Sequence, residues 1–207
     1  MNGAYVSWVL SLSLLVGYLI GSLPSAALVA KLNRRDIFEV GSSSMGAMNT
    51  ARNLGWALGA LVLLLDLGKG ALASAAGLWL GTLSGDPLVT PLVAGVGAVV
   101  GHLWSVWVGF RGGKGLATTL GMALPIYPLG GLYGLATLLV LILVFRRVTL
   151  ATLLTALVYP VGIYLSLVSA APQRVTATTL AACLIALLII LKHVLPTRPV
   201  RRPGCET

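Results

Sequence analysis

A polar stretch at residues 40–55, VGSSSMGAMNTARNLG, carries side chains well suited to binding an anion. Three serines follow Gly41 directly, and Gly46, Asn49 and Arg52 come shortly afterwards. Glycine lets backbone N–H groups approach an anion closely, and hydroxyl and guanidinium groups supply further donors to a phosphate. The stretch therefore fits a phosphate site, while the same composition also fits a plain polar turn between two apolar segments.

A second polar stretch, GHLWSVWVGFRGGKGLATTLG at residues 101–121, contains a lysine among glycines. The lysine is Lys114, and its glycine neighbours are Gly109, Gly112, Gly113 and Gly115. A helix is expected to start just after the lysine, so that its free N–H groups point at the loop. The pattern is not a Walker A loop, because Gly115 stands where that motif needs Ser or Thr. The loop predicts a phosphate cradle, with tight helix packing through the glycines as the alternative.

One aspartate and one lysine stand inside an apolar run, in the segment LLDLGKGAL. Asp66 and Lys69 are spaced so that they share one face of a helix. Charged groups at membrane depth are costly and normally face the protein interior or a water-filled site. The pair is either a structural ion pair that neutralises itself or an anchor beneath the anion site, and the sequence leaves both interpretations open.

The two histidines, His102 and His193, each stand near the end of an apolar run. A lone histidine is more often a hydrogen-bonded structural residue than a catalyst. Neither a Ser-His-Asp order nor a pair of catalytic carboxylates can be assembled from this chain, and no metal-ligand spacing is present. The residues alone predict a phosphate-bearing ligand and do not specify whether it is transported or chemically changed.

Membrane helices are the elements that must position these residues. Hydrophobic residues make up 57% of the 207-residue chain, and charged residues make up 9%, against about 25% in soluble domains. The mean hydropathy is +0.97. This composition excludes a soluble globular domain, a disordered chain and a disulfide scaffold. The long apolar runs lack the alternation of a membrane β-barrel, so the expected fold is an all-α polytopic membrane protein.

The apolar runs predict about seven transmembrane helices in one integral membrane domain of residues 1–207, followed by a basic tail from about residue 195. The expected spans are 5–31, 56–81, 88–109, 115–127, 129–145, 149–170 and 176–194. The fourth is short and has a re-entrant or tilted segment as its alternative. The chain carries 14 Lys and Arg against 5 Asp and Glu. Seven crossings place most of the positive residues on one side, which predicts an outside N-terminus and an inside C-terminus. The basic character therefore does not indicate a nucleic-acid partner.

The motifs resemble those of the PlsY family of bacterial membrane acyltransferases, which use acyl-phosphate to acylate glycerol-3-phosphate. The family's first motif is matched from Gly41 to Arg52, and its D-x-x-K-G pattern is matched by Asp66, Lys69 and Gly70. Its long glycine-rich motif is nearly complete at 101–121. The resemblance extends over residues from about 17 to 195.

The chain departs from the family pattern at several positions: Ser44 replaces an asparagine, Met48 a threonine and Ser105 a proline. Threonines at 149 and 152 replace two serines, which keeps their hydroxyl groups. In the tail, Pro196 stands in place of an asparagine. The resemblance therefore predicts acyl transfer, with a binding-only homologue, a transporter of phosphorylated metabolites and a structural partner of other lipid-synthesis enzymes as alternatives.

The resemblance implies a bacterial inner-membrane enzyme that has its site on the cytoplasmic side and needs no cofactor or metal. Its substrates are acyl-phosphate and glycerol-3-phosphate, its surroundings are the lipid bilayer, and association with other lipid-synthesis enzymes is possible. It assigns catalytic roles to Ser42, Arg52, Lys114 and His193. It assigns substrate binding to Gly41, Asn49, Lys69, His102, Gly112, Gly113, Gly115, Thr149 and Thr152.

Overall fold

The computed structural model describes residues 3–195, and within that range the protein consists of nine α-helices and one short 3₁₀ helix. The α-helices are α1 (Gly3–Ser22), α2 (Ser25–Leu32), α3 (Ala47–Leu54), α4 (Trp56–Ser84), α5 (Val89–Leu103), α6 (Leu116–Ile126), α7 (Pro128–Phe145), α8 (Val148–Ala170) and α9 (Pro172–Val194). The 3₁₀ helix covers Val106–Val108. The all-helical prediction is therefore confirmed for the described part of the chain.

Five helical segments are long and apolar enough to cross a membrane: Gly3–Leu32, which joins α1 and α2, and the helices α4, α7, α8 and α9. Large leucine and valine side chains are exposed on their outer faces, as suits contact with lipid. Helices α5 and α6 are apolar but shorter. The 11 residues of α6 span only about 16 Å, about half of a bilayer core.

The first predicted span, 5–31, is not one continuous helix. It is interrupted between α1 and α2 at Leu23 and Pro24. Proline has no N–H group to donate and pushes the preceding residue away from helical geometry. The interruption therefore turns α2 into a separate short helix that leads into the polar stretch at 40–55.

The third predicted span, 88–109, ends earlier than expected, at Leu103. The following residues are apolar in composition, which extended the hydropathy signal, but they fold as a loop. The backbone of this loop turns at Gly109 (φ +67°) and Gly115 (φ +85°), in the left-handed region that favours glycine. Residues 104–115 thus connect α5 to α6 as a folded loop at one end of the helix bundle.

Glycines let the central helices pack backbone against backbone. On α1, Cβ atoms added at Gly17 and Gly21 would collide with the backbone of Ala94 and Ala98 on α5. The same holds between α4 and α6, where a Cβ on Gly70 would collide with the Thr118 carbonyl. Small residues that bring membrane helices this close are a common source of their association, so α1, α4, α5 and α6 form the rigid centre of the bundle.

Side-chain hydrogen bonds show which helix ends lie together. Ser105 Oγ donates to the Ser22 carbonyl at 2.5 Å, and Lys192 Nζ donates to the Leu103 carbonyl at 2.7 Å. At the opposite end, Arg174 Nη1 donates to the Ile126 carbonyl at 3.5 Å. The ends of α1, α5 and α9 therefore meet at the end of the bundle that carries both polar stretches, and we call it the loop end.

This arrangement makes a prediction about which residues share one side of the membrane. In a chain whose Cys183 and Cys205 have been replaced, we expect Arg147→Cys to react with an impermeant thiol reagent from the same side as Arg35→Cys. Arg174→Cys should react only from the other side, because α8 separates it from position 147. Labelling of positions 35 and 147 from opposite sides would contradict the crossing of α6.

Candidate functional site

Asn49 organises the polar loop that precedes α3. Its side-chain amide nitrogen donates to three backbone carbonyls, and its oxygen accepts the Ser42 N–H at 3.0 Å. The carbonyls are those of Ile37, Val40 and Ser44. The side chain is buried, so both amide atoms are used inside the loop. The Asn49 side chain therefore shapes the loop in this structure, and the substrate binding expected of it stays a prediction.

Gly41 and Ser42 have different roles in this loop. Gly41 has φ +55°, and a Cβ there would collide with the side chains of Asn49 and Asn53. Gly41 is thus needed to close the loop onto α3. Ser42 is exposed, and its hydroxyl lies 3.1 Å from that of Ser44, so this pair of hydroxyls is available to a ligand at the loop end.

The glycine-rich loop packs directly against the end of α5. A Cβ on Gly112 would collide with the carbonyls of His102 and Leu103, and one on Gly113 would collide with His102 Nε2. The Gly113 N–H donates to the His102 carbonyl at 3.1 Å. In this structure the Gly113 N–H therefore holds the loop on α5, and its binding of a phosphate stays a prediction.

The backbone N–H groups at the start of α6 are available to bind an anion. Gly115 adopts a left-handed conformation (φ +85°), and among the described residues no side chain caps the helix. The first N–H groups of a helix lack acceptors within the helix and carry a partial positive charge. Such helix starts bind phosphate groups. The expected helix start after Lys114 is confirmed, at Leu116.

Lys114 is close to two other residues expected at the site. Burial, and then the positive charge of Arg52, lower the pKa of Lys114 below its usual value. Lys114 is also near enough to His193 for the two groups to interact electrostatically. Two of the other residues expected to be catalytic therefore lie within electrostatic range of Lys114, although they come from α3 and the end of α9.

His193 uses one ring nitrogen in a backbone hydrogen bond and leaves the other without a partner among residues 3–195. Its Nδ1 lies 2.8 Å from the Ile189 carbonyl, and because a carbonyl can only accept, Nδ1 carries the hydrogen. Its Nε2 is buried, with no hydrogen-bond partner among residues 3–195. In the neutral ring, Nε2 is therefore an acceptor that a hydroxyl donor can use.

Asp66, Lys69 and His102 form a buried polar group beneath the glycine-rich loop. Lys69 Nζ lies 2.9 Å from Asp66 Oδ1 and donates to the Leu23 carbonyl at 3.0 Å. His102 Nδ1 lies 3.5 Å from the same carboxylate oxygen. All three side chains are buried. The ion pair is what the structural interpretation predicts, and the position of His102 under Gly113 is what the anchor interpretation predicts. Lys69 also connects α4 to the interruption between α1 and α2, and substrate binding by Lys69 and His102 stays a prediction.

The two threonines expected to bind substrate differ in their surroundings. Thr149 is exposed in the first turn of α8. Thr152 is fully buried, and its hydroxyl donates to the Val148 carbonyl of the same helix at 2.8 Å. The Thr152 hydroxyl is therefore used within α8, and only Thr149 keeps a hydroxyl that is open to a ligand.

Sequence reasoning overlooked two residues that hold the site together. Lys192 donates to the Leu103 carbonyl and lies 5.2 Å from the centre of the Trp104 ring. Arg111 lies 3.8 Å from the centre of the Phe38 ring, which joins the glycine-rich loop to the loop before α3. The position of Lys192 beside His193 was a signal, but a lysine at the end of an apolar helix is ordinarily interpreted as reaching the membrane surface.

Comparisons with known proteins give consistent results. A family model described as "Glycerol-3-phosphate acyltransferase" matches residues 11–198. The chain is 36% identical to "Glycerol-3-phosphate acyltransferase 1" of Dehalococcoides mccartyi, over 90% of this chain and 88% of that protein. It is 35% identical to the "Glycerol-3-phosphate acyltransferase" of Salinibacter ruber, over 90% of this chain and 86% of that protein.

Two solved structures resemble the fold. They are crystal structures of PlsY, described as an integral membrane glycerol 3-phosphate acyltransferase, in a glycerol 3-phosphate form and a lysophosphatidic acid form. The TM-scores are 0.77 and 0.76, at 30% and 29% identity. Each comparison covers 89% of this chain and 88% of the other.

The buried ion pair makes a prediction about stability. Lys69→Met leaves the Asp66 carboxylate buried without its partner, which should destabilise the protein by about 3–5 kcal/mol. Adding Asp66→Asn removes the unpaired charge and should restore much of that loss. The measurement is the melting temperature in detergent, with Lys31→Met as the control, since Lys31 is exposed. A Lys69→Met protein as stable as the wild type would show that the pair does not anchor the helices.

Proposed function

The chain belongs to the glycerol-3-phosphate acyltransferase family, and we propose that it transfers an acyl group from acyl-phosphate to the first hydroxyl of glycerol-3-phosphate. The products are lysophosphatidic acid and inorganic phosphate, so the reaction begins phospholipid synthesis. The observation that carries this proposal is the family match over residues 11–198. It agrees with the cluster formed by Lys114 at the start of α6 and the two groups that interact with it electrostatically, Arg52 and His193. Positive charge suits both phosphate-bearing substrates.

An apolar groove next to this cluster suits the acyl chain of the donor. The groove lies between α6, α7, α8 and α9, and Leu116 and Ile189 are among its lining residues. Leu116 directly follows Gly115, and the Ile189 carbonyl lies against His193 Nδ1. An acyl chain in the groove would therefore place its phosphate beside Lys114 and the first N–H groups of α6.

The proposed step is attack of the glycerol-3-phosphate hydroxyl on the carbonyl carbon of acyl-phosphate. The bond from that carbon to the phosphate oxygen breaks, and the phosphate leaves with the electron pair. Lys114 and the start of α6 stabilise the charge on the departing phosphate. Arg52 and the Ser42 hydroxyl bind phosphate oxygens, and His193 Nε2 accepts a hydrogen bond from the attacking hydroxyl and so orients it.

The hydroxyl proton goes to an oxygen of the departing phosphate. The Asp66 carboxylate, which lies next to His102 under the glycine-rich loop, is buried and paired with Lys69. That carboxylate lies beneath the loop and does not face the ligand. A substrate oxygen is therefore a better proton acceptor, which agrees with the lack of a catalytic dyad in the sequence.

We further propose that the protein is a single multi-pass domain of the bacterial inner membrane with seven crossings. The N-terminus is then outside, and the loop end and the C-terminus face the cytoplasm, where glycerol-3-phosphate is available. The short length of α6 supports a site that lies below the cytoplasmic membrane surface. A helix of about 16 Å that ends at the outer surface must begin inside the bilayer, because the bilayer core is about twice as thick. The glycine-rich loop then meets both the aqueous acceptor and the lipid-borne donor.

A direct assay tests the proposed reaction. Purified protein is incubated with an acyl-phosphate and radiolabelled glycerol-3-phosphate, and labelled lysophosphatidic acid is measured. Acyl-CoA and acyl-carrier-protein are tested as donors in parallel. We expect lipid product from acyl-phosphate only; product from acyl-CoA instead would show that the donor is wrong, and no product from any donor would reject the activity.

The lowered pKa of Lys114 predicts how catalysis depends on pH. Because its pKa is lowered by burial and Arg52, the charged form is present below that pKa and is lost as the pH rises through it. Catalysis should therefore fall on the alkaline side. Lys114→Arg should extend activity to higher pH, since guanidinium stays charged, and Lys114→Met should lower kcat by roughly a hundredfold.

The control for Lys114 is Arg147→Met, which removes an exposed positive charge at the loop end. This variant should keep the wild-type pH profile and most of the activity. An identical alkaline limb in the wild type and in active Lys114→Arg would show that another group titrates there.

The tail makes a separate prediction. Pro196, Arg198, Arg201 and Arg202 lie outside the described residues, so their contribution to acceptor binding stays a proposal. We expect removal of residues 197–207 to raise the KM for glycerol-3-phosphate while leaving the KM for acyl-phosphate little changed. Unchanged kinetics in a folded truncation would instead favour contact of these arginines with anionic lipid head groups.

A further inference from the structure

The apolar groove continues past its first cavity into a second one. The first cavity begins at Leu116, two residues after Lys114, and the second cavity adjoins the first. The two share four lining residues: Thr119, Tyr159, Ala182 and Ile185. Residues that line only the second cavity, such as Ala123 and Thr178, lie farther from the loop end along α6 and α9.

Tyr159 has the largest side chain at the boundary between the two cavities. We propose that Tyr159 determines the length of the acyl chain that the enzyme accepts, by closing the first cavity against the second. This inference rests on the proposed acyl-phosphate reaction, since it takes the acyl chain as the occupant of the groove. The position of the first cavity supports the acyl chain as its occupant. Its lining residue Leu116 directly follows Lys114 and Gly115, so the cavity begins beside the proposed phosphate site.

Contacts from α7 hold the Tyr159 ring at this boundary. The ring stacks on that of Tyr133, with centroids 6.2 Å apart and planes at 20°. On the same helix, Gly134 leaves room for it, since a Cβ there would lie 2.9 Å from Tyr159 Cε2. The ring therefore cannot move toward α7 without displacing Tyr133 or meeting the α7 backbone.

The helix geometry gives the expected size of the effect. Along α9, the first cavity extends from Ile189 to Ala182, and the second extends the groove to Thr178. The extra four residues add about 6 Å at 1.5 Å per residue. With about 1.3 Å per methylene, from a C–C bond of about 1.5 Å, the second cavity accommodates four or five more carbons. A longer chain in the wild type must leave the groove sideways toward lipid.

The test compares chain-length profiles of the wild type and Tyr159→Ala. The first cavity, from Ile189 to Ala182, holds about eight carbons on the same scale. Saturated acyl-phosphates from octanoyl to octadecanoyl are assayed in one detergent, and the ratio of kcat/KM for dodecanoyl over octanoyl phosphate is measured. Relief of the clash should raise this ratio roughly fivefold or more. Tyr159→Phe keeps the ring, and Tyr164→Ala removes an exposed tyrosine of the same helix, so both should keep the wild-type ratio.

A second variant should shift the chain-length preference in the opposite direction, toward shorter donors. In Gly134→Ala, the new methyl group meets the Tyr159 ring and also Leu120 Cδ2 at 3.2 Å. It should push these side chains into the first cavity and favour shorter donors. An active Tyr159→Ala protein with the wild-type profile would overturn the proposal. Should Tyr159→Ala fail to fold, a wild-type profile in Gly134→Ala would overturn it as well.

A binding measurement separates failure of this inference from failure of the reaction. The same acyl-phosphates are tested for their effect on the melting temperature of the wild type and of both variants. If no protein transfers an acyl group but Tyr159→Ala gains its largest stabilisation from a longer donor than the wild type, the role of Tyr159 holds and the proposed reaction fails. If transfer occurs and the profiles coincide, the reaction holds and the role of Tyr159 fails.

Discussion

The last turn of α5 is the structural element on which the candidate site depends. The final carbonyls of a helix have no partner within it, and here two of them are bound by groups from other parts of the chain. The His102 carbonyl accepts the Gly113 N–H, and the Leu103 carbonyl accepts Lys192 Nζ. These two bonds fix the glycine-rich loop and the end of α9 to one support, so Lys114 and His193 keep a constant relative position.

The last turn of α5 lies against a buried charge pair, because His102 is 3.5 Å from the Asp66 carboxylate. A carboxylate and an ammonium group in the middle of a membrane protein are costly unless they are paired and hydrogen-bonded. Asp66 and Lys69 meet this condition, and Lys69 also donates to the Leu23 carbonyl where α1 gives way to α2. The charge requirement thus connects three features: the helix interruption, the start of the polar loop, and His102 under Gly113.

The glycine-rich loop shows how one residue pattern can serve two purposes. Gly112 and Gly113 are glycines because the loop lies against the backbone of α5, where a Cβ would collide. The positive end of a helix dipole comes from the following element, α6, which begins after the left-handed turn at Gly115. Close packing and anion attraction are therefore adjacent functions of the same segment, performed by different residues.

The sequence by itself determined the class of protein and the positions where chemistry is concentrated. High apolar content and long uninterrupted runs require membrane helices, and Lys114 and Arg52 stand out because charge is rare in such a chain. Composition and charge are local properties of the sequence. They could not show that the Gly113 N–H donates to α5 or that the Asn49 side-chain amide forms its hydrogen bonds inside the loop. Nor could they show that Tyr159 lies between two cavities. Only the tertiary structure decided these points, because each depends on contacts between helices that are far apart in the chain, and hydrophobic periodicity carries no information about such partners.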